Sequence, residues 1–157
     1  MEISQRTATL GDAALLLEWR NNPVVRKFSQ HSGPISLENH MIWFSSRLET
    51  VHSEPFTLFL ADHKIIGMTR LDYLRGFDNS FAITILVDPN ERGKGFGTKI
   101  LNTTCESFFS ACPRSILKAK VHQNNYASQK LFINADFSVQ IPTGLFLNYE
   151  KSLKSSY

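Results

Sequence analysis

The stretch SFAITILVDPNERGKGFGTKIL, Ser80 to Leu101, decides the fold. After Ser80, its next seven residues are apolar or β-branched and read as a strand ending at Val87. After Asp88-Pro89 comes Arg92-Gly93-Lys94-Gly95-Phe96-Gly97-Thr98. A helix then runs from Thr98 to about Ala111, with Ile100, Leu101, Thr104, Phe108 and Phe109 on its apolar side. SILKAKV, Ser115 to Val121, returns to strand character. Phe81 to Val121 is therefore a strand, helix, strand crossover, a connection whose two strands lie parallel.

The glycine loop inside that crossover carries the chemistry. Three glycines at alternate positions let backbone amides turn inward and approach a ligand with no Cβ in the way. The helix that follows adds unpaired N–H groups and the positive end of its dipole, and Arg92, Lys94 and Lys99 supply charge. Together these features bind a phosphate or pyrophosphate. A Walker A loop is excluded on spacing, because Lys94 is followed by Gly95 and position 88 is Asp. A dinucleotide fingerprint opens a doubly wound sheet near the start of its domain, whereas this loop arrives after a run of antiparallel strands.

Working outward, FTLFLA from Phe56, a turn at Asp62-His63, KIIGMTRLDYL, a loop through Gly76 to Asn79 and SFAITILV form a three-stranded meander. Upstream, Ile3 to Thr7 reads as an edge strand. Asp12 to Asn22 reads as an amphipathic helix with Leu15, Leu16 and Trp19 inward, interrupted by Pro23. Val24 to Gln30 adds a short helical turn, and Ser36 caps a helix that runs to about Glu49. Downstream, Asn125 to Asn134 reads as a helix, and FSVQI and LFLNYE as a closing hairpin around Pro142-Thr143-Gly144. No repeat, linker or low-complexity segment interrupts the chain, so one domain over 1–157 is expected.

Composition fits that expectation. The 157 residues suit one domain, and 42% hydrophobic with 20% charged residues is not the balance of a disordered chain. The longest apolar runs fall far short of the ~18 residues that span a bilayer. The first dozen residues lack a basic region followed by an apolar core, so a cytoplasmic protein starting at Met1 is expected. Cys105 and Cys112 share a helix, roughly 10 Å apart, too far for a mutual disulfide. A net charge of +3 without a run of basic residues argues against a nucleic-acid partner. The five histidines, His31, His40, His52, His63 and His122, show no metal-ligand spacing, and no G-x-S-x-G elbow occurs.

The segment VDPNERGKGFGTKIL resembles the acyl-CoA-binding motif of the GNAT N-acetyltransferases, with its Arg-x-x-Gly-x-Gly core at Arg92, Gly95 and Gly97. VHQNNYASQKLFINADF is similar to that family's second motif, with Asp136 where glycine is usual. The resemblance implies an α/β (α+β) GNAT-like fold: a mixed, mostly antiparallel sheet of about seven strands, splayed parallel central strands and about four flanking helices. It implies acetyl-CoA as co-substrate, no metal, and contacts from Leu86, Val87, Arg92, Gly93, Lys94, Gly95, Gly97, Thr98, Asn125 and Ser128. The front segment, LEWRNNPVVRKFSQHSGPISLENHMIWF, resembles the amino-sugar N-acetyltransferases of pseudaminic-acid biosynthesis, which act on a UDP-linked 4-amino sugar. That points to Arg20 and His40 on a diphosphate and Trp43 on uracil, although Trp43 and Trp19 also read as ordinary core aromatics and His40 as a surface helix residue. Ribosomal-protein N-terminal acetyltransferases carry related early helices. A homodimer is compatible with either reading.

Acetyl transfer from a thioester to an amine needs a neutral nitrogen, a donor for the developing oxyanion and a proton for the leaving thiolate. Backbone amides at Leu86 and Val87 are the expected donors. The family's usual glutamate base is Lys120 in this chain and its tyrosine acid is Phe132. His122, two residues beyond Lys120 and on the same strand face, is the candidate base, and Tyr126 and Tyr149 are the remaining candidate acids. A weak base suits an α-amine or a sugar amine. An amine of pKa ~7.8 is neutral roughly 400-fold more often at pH 7 than a lysine at ~10.4.

Overall fold

The computed structural model describes residues 2–77 and 79–153. Asp78, in the expected loop, and Met1 and 154–157, at the ends of the expected domain, lie outside the described residues. The strands are β1 (Ile3–Thr7), β2 (Phe56–Ala61), β3 (Lys64–Tyr73), β4 (Ser80–Val87), β5 (Ile116–His122), β6 (Ser138–Val139) and β7 (Phe146–Lys151). They form one sheet in the order β1-β2-β3-β4-β5-β7-β6. Among the described residues only β4 and β5 pair in parallel, as the crossover requires. The helices are α1 (Ala13–Asn21), α2 (Pro23–Lys27), α3 (Leu37–Leu48), α4 (Phe96–Ala111) and α5 (Tyr126–Asn134). Among the described residues they number five, the turn after Pro23 closing into its own short helix, capped by Asn22. The closing hairpin is also shorter than expected, with only two residues in β6.

Strand alternation sorts the side chains onto two faces. Thr69, Leu71, Ile83, Leu117, Ala119, Val121 and Tyr149 face α4 and α5, where they bury Leu101, Cys105, Phe108, Phe109, Phe132 and Phe137. Leu58 and Met68 face the other way, toward Leu16 and Trp19 of α1 and Phe44 of α3. Local signals explain the joints. Asp62 and His63 both take positive φ, 48° and 66°, as a tight hairpin turn demands. Asp136, in the family's glycine position, sits at φ 64°, so the left-handed conformation is kept and an aspartate tolerates it. Asp12 accepts both arms of Arg6 at 2.8 Å and so ties β1 to the start of α1.

Candidate active site

β4 and β5 pair only from Ser80↔Ile116 to Ala82↔Lys118; beyond that point β4 runs on to Val87 and β5 to His122 without bonding to each other. The sheet is split there. The Ser80 carbonyl accepts from Leu74 N–H, and the Asp88 N–H donates to the Ile66 carbonyl, so even-numbered residues of β4 turn their backbone groups toward β3. Ile85 and Val87 consequently turn theirs into the split. Leu86 does not: its carbonyl oxygen lies against Gly67, where an added Cβ would sit 2.8 Å away. Of the two amides expected to meet the oxyanion, only that of Val87 therefore turns into the split, because adjacent residues of a strand face opposite edges.

The glycine loop follows a single 3-10 turn at Pro89–Glu91. Its glycines are not equivalent. Gly93 and Gly95 have φ of 77° and 81°, and Gly95 is the N-cap of α4, whereas Gly97 is already helical. Helix α4 thus starts at Phe96, two residues before the expected Thr98, because the left-handed Gly95 turns the chain directly into it. Arg92, Lys94, Thr98 and Lys99 are exposed at this end. Lys94 donates to Glu91 at 2.7 Å, and Lys64 bonds the same carboxylate. Those two lysines hold the Glu91 carboxyl below its usual range. Across the split, Asn125 caps α5 by accepting from the Ser128 N–H at 3.2 Å through Oδ1, which leaves its Nδ2 amide to donate elsewhere.

Lys118, Lys120 and His122 alternate onto the face of β5 opposite α4. Two aromatic rings hold His122: Phe28, just after α2, at 5.6 Å and Phe146 of β7 at 5.4 Å. Nδ1 accepts the Asn124 N–H at 3.1 Å, so the neutral ring carries its proton on Nε2. The imidazole is thus set as a donor, and to take up a proton at Nδ1 it must give up the Asn124 bond. Phe132 is 3% exposed and packs on Phe137 and Tyr149, so no hydroxyl enters from that position. Tyr149 is buried in the same cluster, which raises its pKa, and Tyr126 is exposed at the start of α5.

The front half separates the expected acceptor residues. His40 is 3% exposed; its Nε2 bonds the Ala13 carbonyl at 2.9 Å, and its ring stacks on Phe44 at 5.6 Å. Burial outweighs that bond and lowers its pKa. His40 therefore fastens α3 to the start of α1, a structural duty that a helical i,i+4 pair with Phe44 makes natural. Trp19 is core, as expected of an ordinary core aromatic. Trp43 is 41% exposed, with the Arg70 guanidinium over its ring at 5.2 Å. Arg70 went unnoticed in the sequence, where a lone arginine within an apolar strand carries no pattern. Its Nε donates to Asp72 at 2.7 Å, and Asp72 also receives Arg47 at 3.0 Å. Among the described residues no group of His, Cys, Asp or Glu is arranged to hold a metal, and no helix is long and apolar enough to cross a membrane.

A sheet split at its parallel pair, with a left-handed glycine loop feeding the helix beside the split, is the architecture of an acyl-CoA-dependent transferase. The chain belongs to the acetyltransferase (GNAT) domain family, whose model matches residues 5–138. No curated protein sequence matches the chain. Its fold is similar to that of the putative acetyltransferase YncA of Salmonella typhimurium, solved with acetyl-CoA (TM-score 0.79, 20% identity, 98% of this chain and 95% of that one). It is also similar to a ribosomal-protein-alanine N-acetyltransferase of Brucella melitensis (0.77, 22%, 96% and 99%). A third likeness is to a spermidine N-acetyltransferase of Vibrio cholerae, solved with CoA and spermine (0.83, 16%, 95% and 94%). At these identities the likeness is one of fold.

Proposed function

We propose that this protein transfers the acetyl group of acetyl-CoA to a primary amine of a nucleotide-linked amino sugar, a UDP-4-amino sugar. The observation that carries the reaction class is the split between β4 and β5, which leaves the backbone edge of Ile85 and Val87 open beside the glycine loop. Acetyl-CoA fits the residues present. Amides of the Gly93–Thr98 loop and the α4 N-terminus, with Arg92 and Lys94, would take the pyrophosphate; Asn125 Nδ2 and the Val87 edge would take the pantetheine arm. Bound there, the co-substrate supplies an activated acetyl carbon.

The Val87 N–H, turned into the split, would donate to the oxygen on which charge develops. The acceptor nitrogen forms the new C–N bond as the C–S bond breaks, and the proton lost by nitrogen ends on the leaving sulfur. With Lys120 and Phe132 at the family's usual base and acid positions, His122 is the residue left to help the nitrogen lose that proton. It can accept at Nδ1 only by exchanging its Asn124 bond. That cost suits an acceptor already largely neutral near pH 7, such as a sugar amine, and disfavours lysine. The sugar itself is supported by the sequence resemblance of the front half and by the exposed Trp43 and the Arg20 guanidinium.

Thiol release from acetyl-CoA, measured with UDP-4-amino sugars, α-amino peptides and spermidine, tests the proposal. Turnover confined to peptides would transfer the reading to a protein N-terminal acetyltransferase, which the fold likeness to the Brucella enzyme supports. Tight CoA binding with no turnover on any acceptor would leave a binding module.

A further inference from the structure

One charged atom in the front half has no counterpart. Arg20 Nη1, on α1, is buried and makes no hydrogen bond among the described residues, while Nη2 of the same side chain donates to the His31 carbonyl at 2.7 Å. The next carbonyl, Ser32, receives Nε of Arg26 at 2.9 Å, so one short loop holds two guanidinium groups. A third, Arg70, comes from β3. It is fixed by Asp72, by the face of Trp43 and by a 3.4 Å contact to Thr84 Oγ1. Burial, and then the charges of Arg70 and Arg26, lower the Arg20 pKa from the usual guanidinium value. Of the three, only Arg70 has a carboxylate partner among the ion pairs of the described residues, and that carboxylate is shared with Arg47.

A buried guanidinium nitrogen without an acceptor, acted on by the charges of two more guanidinium groups, is costly unless an anion completes it. We infer that Arg20, Arg26 and Arg70 form the site for an anionic group of the acceptor, with Arg70 as the residue that selects for it. The position is apt. Thr84 is the second residue beyond the last β4–β5 pair, so Arg70 lies where the strands part. Val87 is three residues further along β4, about 10 Å at the usual strand rise. An acceptor held by its anion at Arg70 therefore presents its amine about that far away, beside the Val87 amide. The chemistry recognised is a phosphate, a diphosphate or a carboxylate set apart from a primary amine, and a polycation such as spermidine is excluded by like charge. This inference rests on the acetyl-transfer reading for where the amine goes, but not on the acceptor's being a sugar.

The test uses the full chain saturated with CoA, so that the glycine loop is filled and does not take up the probe. Inorganic pyrophosphate, UDP, succinate and spermidine are titrated calorimetrically into the parent protein, R70Q, R70K and R26Q, each checked for fold by its thermal midpoint. Pyrophosphate or UDP should bind, weaken on the order of 10-fold or more in R70Q and less in R70K, and show a shallower salt dependence in R70Q. Succinate binding through Arg70 where pyrophosphate and UDP do not bind would make the selected anion a carboxylate. If no anion binds, if R70Q and R26Q bind like the parent, or if spermidine binds best, the inference is overturned. Should UDP-amino sugars fail as acceptors while pyrophosphate still binds through Arg70, the sugar reading falls and the anion site stands. Turnover of those sugars with acceptor KM unaltered in R70Q would do the opposite.

Discussion

Replacing Gly95 and Gly97 one at a time separates what each glycine of the loop does. At Gly95 an added Cβ meets nothing within 4 Å, yet φ is 81°, so the cost of a side chain is conformational rather than steric. For an L-residue that cost is about 1–2 kcal/mol, and more for a β-branched one. In a chain of this length it corresponds to a fall in Tm of roughly 2–8 °C. Gly97 is different: its Cβ would make ordinary 3.6 Å contacts with Leu131 and Val87, and its backbone is helical. Gly97→Ala should leave Tm within about 1 °C or raise it slightly, since alanine is favoured in helices by up to ~1 kcal/mol. Binding should follow the same order. Gly95→Val tilts the first amides of α4 away from the pyrophosphate and places a branched side chain beside it. Loss of one charge-assisted hydrogen bond costs ~1.5–3 kcal/mol, about 10- to 150-fold in CoA affinity. Calorimetry with CoA and a melting curve on the same samples read both quantities. A folded Gly95→Val protein that binds CoA as tightly as the parent would refute the assignment of the loop.

Three further outcomes are expected. His122→Ala should lower kcat and flatten the rise of rate with pH while leaving KM for acetyl-CoA unchanged; an unaltered pH profile would remove His122 from proton transfer. Because burial lowers the His40 pKa in the folded state, the unfolded chain binds the extra proton first. Its stabilising share is therefore complete above the unfolded value of ~6.5 and is lost as pH falls below it. Urea midpoints taken between pH 8 and 5 should show this decline in the parent and a smaller one in His40→Gln. Asp136→Gly should raise Tm by a few degrees, on the order of 1 kcal/mol, by relieving the left-handed aspartate; a fall would show that the Asp136 side chain holds the turn.

Most of the fold was legible because it rests on local signals. The crossover followed from a strand, a glycine loop and an amphipathic helix in succession, and the hairpins from turns such as Asp62-His63. The short closing hairpin was harder: Val139 and Ile141 look like strand residues, yet they are exposed and Ile141 lies beyond β6. Propensity alone does not determine whether a segment finds a partner. The same limit applies to the site. The loop, Asn125 and the absence of the usual base and acid could be read residue by residue, whereas the orientation of Leu86 and Val87 depends on which edge of β4 faces β3. That is a property of register, and one residue of slip would exchange the two.

The acceptor residues show the limit most sharply. His40 and Arg20 stood together in the sequence as polar side chains on early helices, but folding divides them. The imidazole finds a carbonyl and a stacking partner and becomes structural, while Arg20 Nη1 is carried into the interior with nothing to bond among the described residues. Hydrogen bonding costs the His40 ring little, since one N–H and one carbonyl satisfy each other. A guanidinium has five donors, and among the described residues the front loop supplies Arg20 with the His31 carbonyl at Nη2 alone. The charges of Arg70 and Arg26 act on the same group, and cations offer no acceptors. Specificity here therefore comes from an arrangement that is destabilising until the right ligand arrives, so the same three side chains should both weaken the unliganded protein and select its substrate.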